Sequence, residues 1–271
     1  MTDLNEMLVK PLVYTLPGMD QAQVKKDLTY HRIEDGQELK FDLYYPADFK
    51  YDQPLPAVIF VHGDGDPELL KNIKDSGQYK GWGQLAAASS QAGVTFNHRS
   101  SAGFTRISQV MEDINALIVT LQSRAAEFML DTKRLALVVF SAGAPFGVSY
   151  FLNNPELFRC LTVYYGLFDL RPLQPYLPQT TSAEELAAFS PTALLEQITA
   201  RIPPVLVVKA GLDRPDLNSL ADQFIKLSQS QGQQVKLLNH SLGHHSFDIL
   251  DNNAESRQII METLEFIQKY I

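Results

Sequence analysis

The serine in VVFSAGAPFG, Val138 to Gly147, stands where an apolar run gives way to small residues. A serine hydroxyl is a weak nucleophile near neutral pH; it needs a base to take its proton and a third group to orient that base. Residues of both kinds follow in the chain, Asp213 after PPVLVVKAGL and His245 in LGHHSFD. In such a set His245 takes the Ser141 proton and later gives it to the leaving group, while Asp213 orients the imidazole and stabilises its charged form. Upstream, HGDGDP begins at His62, directly after AVIFV. Its glycines permit close backbone approach. The N–H groups of Asp64 or Gly65, with that of Ala142, are candidates to stabilise an oxyanion. His62 itself reads as an organiser of that loop.

The string around Ser141 is an imperfect nucleophile elbow. G-x-S-x-G puts the serine in a strained strand-to-helix turn, with small residues two before and two after it. Gly143 fits and Val139 does not. A serine between strand and helix also serves as a plain N-cap. The wider constellation is far more specific, because the chain order serine, acid, histidine with an upstream HG loop belongs to one arrangement. Val139 then calls for a slight readjustment of the neighbouring helix. Pro145 is compatible with a first helical turn, where its missing N–H would be unpaired anyway.

Those residues need a sheet whose carboxyl ends converge. Eight runs read as strands: VKKDLTYHRI, LKFDLYYP, AVIFVHG, GVTFNHR, RLALVVFS, CLTVYYG, PPVLVVKAG and VKLLNHS. The first two alternate and are joined through EDGQ, a hairpin signal. Most later runs are continuously apolar, as parallel strands covered on both faces require. Helical periods lie between them: Val110, Ile114, Leu117 and Leu121; Leu220, Phe224 and Leu227; Ile260, Leu264, Ile267 and Ile271. The expectation is a single α/β domain over residues 1–271, an eight-stranded, mostly parallel twisted sheet with helices on both faces. Residues 171–202, rich in proline and with a short helical candidate at Ala183 to Phe189, form either a small cap or an ordinary surface connection.

With 23 basic and 31 acidic residues the net charge is −8, which offers no general attraction to nucleic acid or anionic lipid. Cys160 is the one cysteine, so no intrachain disulfide forms. The N-terminal stretch carries acids without a sustained apolar core, and no segment is apolar over a membrane-spanning length. A soluble, cytoplasmic protein is expected, with monomer and homodimer both open.

From about Tyr30 to Ile271 the chain resembles the α/β-hydrolases of the small esterase and dienelactone-hydrolase-like type. The resemblance rests on DGQELKFDLYYP, VIFVHGDG, LDTKRLALVVFSAG, VVKAGLD and GHHSFD. It implies the fold and a Ser141, His245, Asp213 triad, and it names no substrate; Ser141 as nucleophile points toward a small-molecule ester or related acyl chemistry. HGDG stands where many esterases have HGGG, and Ser141 stands where dienelactone hydrolases proper use cysteine. Thioesterase, lactonase or peptidase-like chemistry on the same groups stays open, as does a homologue that binds without turnover.

Several residues invite rival readings. His240, His244 and His245 cluster as metal ligands do, but in a loop without fixed spacing. No metal and no cofactor is called for, because a serine nucleophile and an oxyanion hole supply the groups required. Asp169 and Asp248 are alternative acids, for which cap or turn roles are the ordinary reading. Trp82, Phe146 and Phe168 are candidates to line an acyl pocket, although such aromatics commonly belong to a core.

Overall fold

The computed structural model describes residues 4–34, 36–178 and 182–271. All eight expected strands form: β1 (Gln23–Arg32), β2 (Glu38–Tyr45), β3 (Leu55–Val61), β4 (Ala92–Phe96), β5 (Leu130–Phe140), β6 (Cys160–Tyr164), β7 (Val205–Ala210) and β8 (Val235–His240). They make one sheet in the order β1-β2-β4-β3-β5-β6-β7-β8. β1 and β2 pair antiparallel, as does β2 with β4; every later pairing is parallel. The β1–β2 hairpin joins where the EDGQ turn was expected, although Asp35 within it lies outside the described residues.

The helices are α1 (Leu4–Val9), α2 (Pro67–Leu70), α3 (Gly77–Ala88), α4 (Ile107–Ser123), α5 (Ala125–Phe128), α6 (Ala144–Asn153), α7 (Ala183–Ala188), α8 (Pro191–Gln197), α9 (Pro215–Ser230), α10 (Phe247–Leu250) and α11 (Ala254–Tyr270). Strand side chains alternate between faces, and the core divides accordingly. Ile59, Val61, Leu137, Val139 and Val163 pack with α4, α6 and α9 on one face. Val58, Phe60, Val138, Phe140 and Val208 pack with α3 and α11 on the other. Burial on both faces explains why the central strands read as unbroken apolar runs.

Residues 171–202 pack on the helical layer beside the site. α8 docks on α6 and α9, and α7 packs on α8, with Leu186 and Leu195 fully buried; residues 179–181 lie outside the described set. The N-terminal segment is the less expected participant. It presses against the first turn of α3 so closely that a Cβ at Gly77 would lie 2.2 Å from the Lys10 carbonyl oxygen. Among the described residues no helix is long and apolar enough to cross a membrane.

Candidate active site

Parallel strands deliver their carboxyl ends to one edge of a sheet, and the candidate residues meet there. Ser141 directly follows β5 and has φ of +52°, the left-handed region that a β-substituted residue enters at a cost. Its Oγ lies 2.8 Å from His245 Nε2, and His245 Nδ1 lies 2.6 Å from Asp213 Oδ2. A carboxylate only accepts, so Nδ1–H donates to Asp213 and Nε2 is left to accept from the Ser141 hydroxyl. Asp213 is 5% exposed and also accepts from Arg214 N–H at 2.8 Å; His245 keeps 36% of its side chain open. The loops after β7 and β8 are locked together by Gly211 N–H donating to His240 O and Leu212 N–H donating to Gly243 O. A Cβ at Gly211 would sit 2.3 Å from the Ser241 carbonyl oxygen, so only glycine permits that approach.

The turn around Ser141 tolerates Val139 for a local reason. Gly147, one helical turn into α6, lacks the Cβ that would lie 2.6 Å from a Val139 methyl. The bulk two residues before the serine is thus absorbed by a glycine six residues after it. On the other flank a Cβ at Gly143 would meet the His62 carbonyl oxygen at 2.4 Å, which fixes a glycine there.

The sequence of residues 41–153, from within β2 to the end of α6, matches the BD-FAE family model. No curated protein matches the sequence. Solved structures of a thermophilic esterase from the planctomycete Thermogutta terrifontis are similar throughout. Its butyrate-bound form gives a TM-score of 0.68 at 18% identity, covering 93% of this chain and 96% of that one. The propionate-bound form gives 0.69 at 18% identity with the same coverage. The form phosphorylated by paraoxon gives 0.69 at 17% identity, over 93% and 94%. The chain has the α/β-hydrolase fold.

In this α/β-hydrolase scaffold the HG loop crosses in front of Ser141, and a Cβ at Gly63 would touch the Ser141 Cβ at 3.4 Å. Gly63 N–H donates to the Tyr79 hydroxyl at 3.3 Å, while the N–H groups of Asp64 and Gly65 have no partner among the described residues. Ala142 lies in the first helical turn after β5, where leading N–H groups lack intrahelical acceptors. The Asp64 carboxylate accepts from Ser101 N–H at 3.0 Å, from the Ser101 hydroxyl and from Ser100 Oγ at 3.2 Å. Behind the loop, His62 is buried and stacks on His98 at 3.5 Å. His98 N–H donates to His62 Nε2, so the His62 proton resides on Nδ1 and is donated to the Gly63 carbonyl. Burial and the neighbouring His98 hold His62 well below the ordinary histidine range.

Two cavities open at Ser141 and His245, with Tyr165 on the lining of both. The smaller, about 210 Å³, is walled by Leu8 of the N-terminal segment, Leu69, Leu70, Ile73, Tyr79 and Ile249. The larger, about 470 Å³, is walled by Phe104, Leu167, Leu173, Leu217 and Arg214. Leu173 is the contribution of residues 171–202.

The expected pocket aromatics require correction. Trp82, Phe146 and Phe168 are fully buried and line neither cavity. Trp82 packs among Phe60, Phe140 and Tyr164; Phe146 sits against His98 and Phe104; Phe168 stacks on Phe224. All three are core residues, held among aromatic neighbours away from both cavities.

The rival residues go elsewhere. Asp169 pairs with Arg171 at 2.6 Å, and Asp248 is buried with Tyr165, Gln78 and Trp82. Burial raises the Asp248 carboxyl above the ordinary aspartate range, against the pull of those three donors. His240 bonds Ser256 and His244 bonds Asp251, so the three neighbouring imidazoles point to different partners. Tyr165 is the residue that sequence reasoning missed. It takes φ of +38°, and its ring centroid lies 4.5 Å from that of His245. No local motif marks it, since its partners Gln78 and Asp248 are 87 and 83 positions away.

Proposed function

We propose that the protein is a serine hydrolase that cleaves small carboxylic esters through an acyl-enzyme. The observation that carries this reading is the continuous hydrogen-bonded chain from Ser141 through His245 to Asp213, set at a strained turn. Ser141 Oγ attacks the ester carbonyl while its proton passes to His245 Nε2. Asp213 keeps Nδ1 protonated and stabilises the imidazolium that results. The N–H groups of Ala142 and of Asp64 or Gly65 receive the developing oxyanion. His245 then protonates the departing alkoxide. Water, deprotonated by the same nitrogen, attacks the acyl-enzyme and releases the acid and free Ser141.

The solved relatives, an esterase with bound butyrate or propionate and the same enzyme phosphorylated by paraoxon, support ester chemistry of short chains on this fold. So does the modest size of the two cavities. A cytoplasmic setting belongs to the same proposal; a single cysteine, Cys160, buried and free, is compatible with it. The test is a series of p-nitrophenyl esters of increasing acyl length. Turnover greatest at short chains is expected, and an optimum at long chains would overturn the preference.

A further inference from the structure

Three donors converge on a buried carboxylate beside the site, and the acceptor they leave over is open. Asp248 Oδ1 accepts the Tyr165 hydroxyl proton at 2.6 Å. Its Oδ2 accepts from Trp82 Nε1 at 3.0 Å and from Gln78 Nε2 at 2.8 Å. The same Gln78 nitrogen lies 2.9 Å from the Tyr165 hydroxyl oxygen. Tyr165 has already donated its proton and the carboxylate has none to give, so both contacts require N–H from Gln78. The amide cannot be turned round. Both its hydrogens are used, and Oε1 is directed away from the cluster.

Gln78 Oε1 has no partner among the described residues, and it is not among the buried atoms left unpaired. It therefore keeps some exposure, and Gln78 lines the smaller cavity at Ser141. The rest of that cavity is largely apolar, with Leu8, Leu69, Leu70, Ile73 and Ile249 on its walls. A fixed acceptor among apolar groups discriminates well, because a substrate that cannot fill it leaves it without a bond on desolvation.

We propose that Gln78 Oε1 is a specificity determinant that accepts a hydrogen bond from a hydroxyl carried on one half of the ester. The inference rests on the hydrolase reading and names a substrate class within it, small neutral hydroxylated esters. A cationic donor fits worse, since it would lose its hydration among apolar walls while the Asp64 carboxylate is turned to Ser100 and Ser101. Asp248 and Tyr165 act as positioning residues, through the orientation of the Gln78 amide.

The experiment compares two isosteric pairs, in which one half of the ester ends in methyl or in hydroxyl: ethyl butyrate with ethyl β-hydroxypropionate, and butyl acetate with γ-hydroxypropyl acetate. The readout is the ratio of kcat/KM within each pair. The hydroxylated member of at least one pair is expected to be favoured about ten-fold. Gln78→Met should abolish that ratio. Asp248→Asn should reduce it with Gln78 still in place, because an asparagine no longer dictates which end of the Gln78 amide faces it. The affinities of Ser141→Ala for the intact esters separate two kinds of failure. Equal kcat/KM and equal affinity within both pairs overturn the inference and leave the hydrolase reading standing. No hydrolysis of any ester, with tighter binding of a hydroxylated member, overturns the hydrolase reading and supports the inference. A ratio that survives in both Gln78→Met and Asp248→Asn overturns the assignment to Gln78.

Discussion

Two histidine regions flank Ser141, and they are built on opposite plans. After β8, His245 is partly open, with a carboxylate on one nitrogen and a hydroxyl on the other. At the ends of β3 and β4, His62 and His98 are buried, stacked on one another and hydrogen-bonded to backbone groups. An imidazole between a carboxylate and a hydroxyl is arranged to gain and lose a proton. One enclosed among carbonyls and N–H groups is a prop for the HG loop, and burial holds both of that pair below the ordinary histidine range. Residue type is shared by the two regions; the partners and the access to water assign the work.

The largest effect comes from breaking the first region at its carboxylate. Asp213→Asn should leave folding nearly intact and lower kcat by about 10³ to 10⁴, because the wrong histidine tautomer is favoured. Asp169→Asn and Asp248→Asn, assayed alongside, should cost kcat far less, since neither carboxylate touches His245. Turnover lost in Asp169→Asn and kept in Asp213→Asn would contradict the assignment.

Acid should break the second region. Both buried imidazoles have folded pKa values below the unfolded value of 6.5. Their contribution to stability is therefore complete above that value and declines as pH falls from it toward the folded values, by at most about 1.4 kcal/mol per pH unit for each histidine. The raised carboxyls of Asp42 and Asp248 work in the opposite sense. Urea unfolding between about pH 7 and about pH 5.5 should show this loss, and His98→Asn should lessen the slope by roughly one histidine's share. An unchanged slope in that variant would count against it.

A smaller effect sharpens the first region. The Tyr165 and His245 ring centroids lie 4.5 Å apart with the planes tilted by 52°, and an aromatic ring at that distance attracts an imidazolium. Tyr165→Leu should lower kcat about five- to ten-fold, while Tyr165→Phe, which keeps the ring, should lose less. Equal losses in the two variants would assign the effect to the hydroxyl network.

Much of this was legible at strand ends. Burial on both faces made the central strands continuous apolar runs, and turn residues after β3, β5, β7 and β8 marked where Gly63, Ser141, Asp213 and His245 emerge. Helix α3 was not legible. Its GQYKGWGQLAAA is buried on most sides and has little amphipathic contrast; Gly81 and Gly83 are there because Leu12 and Tyr44 press on them. The pocket walls failed for a related reason. Apolar periodicity reports that Trp82, Phe146 and Phe168 are buried, but not whether a cavity adjoins them. Gln78, Tyr165 and Asp248 meet across separations of up to 170 positions, which no local pattern records. Val139 looked like a defect in the elbow until Gly147 supplied the missing space.

If Ser141 is the activated nucleophile, an active-site label should find it. The folded wild-type protein and Ser141→Ala are each treated with a fluorophosphonate, and the adduct is located by intact mass and peptide mapping. One adduct per chain is expected on Ser141, formed with loss of esterase activity and absent from Ser141→Ala. A folded wild-type protein that hydrolyses esters yet takes no label at Ser141, or a Ser141→Ala variant that keeps full turnover, would contradict it.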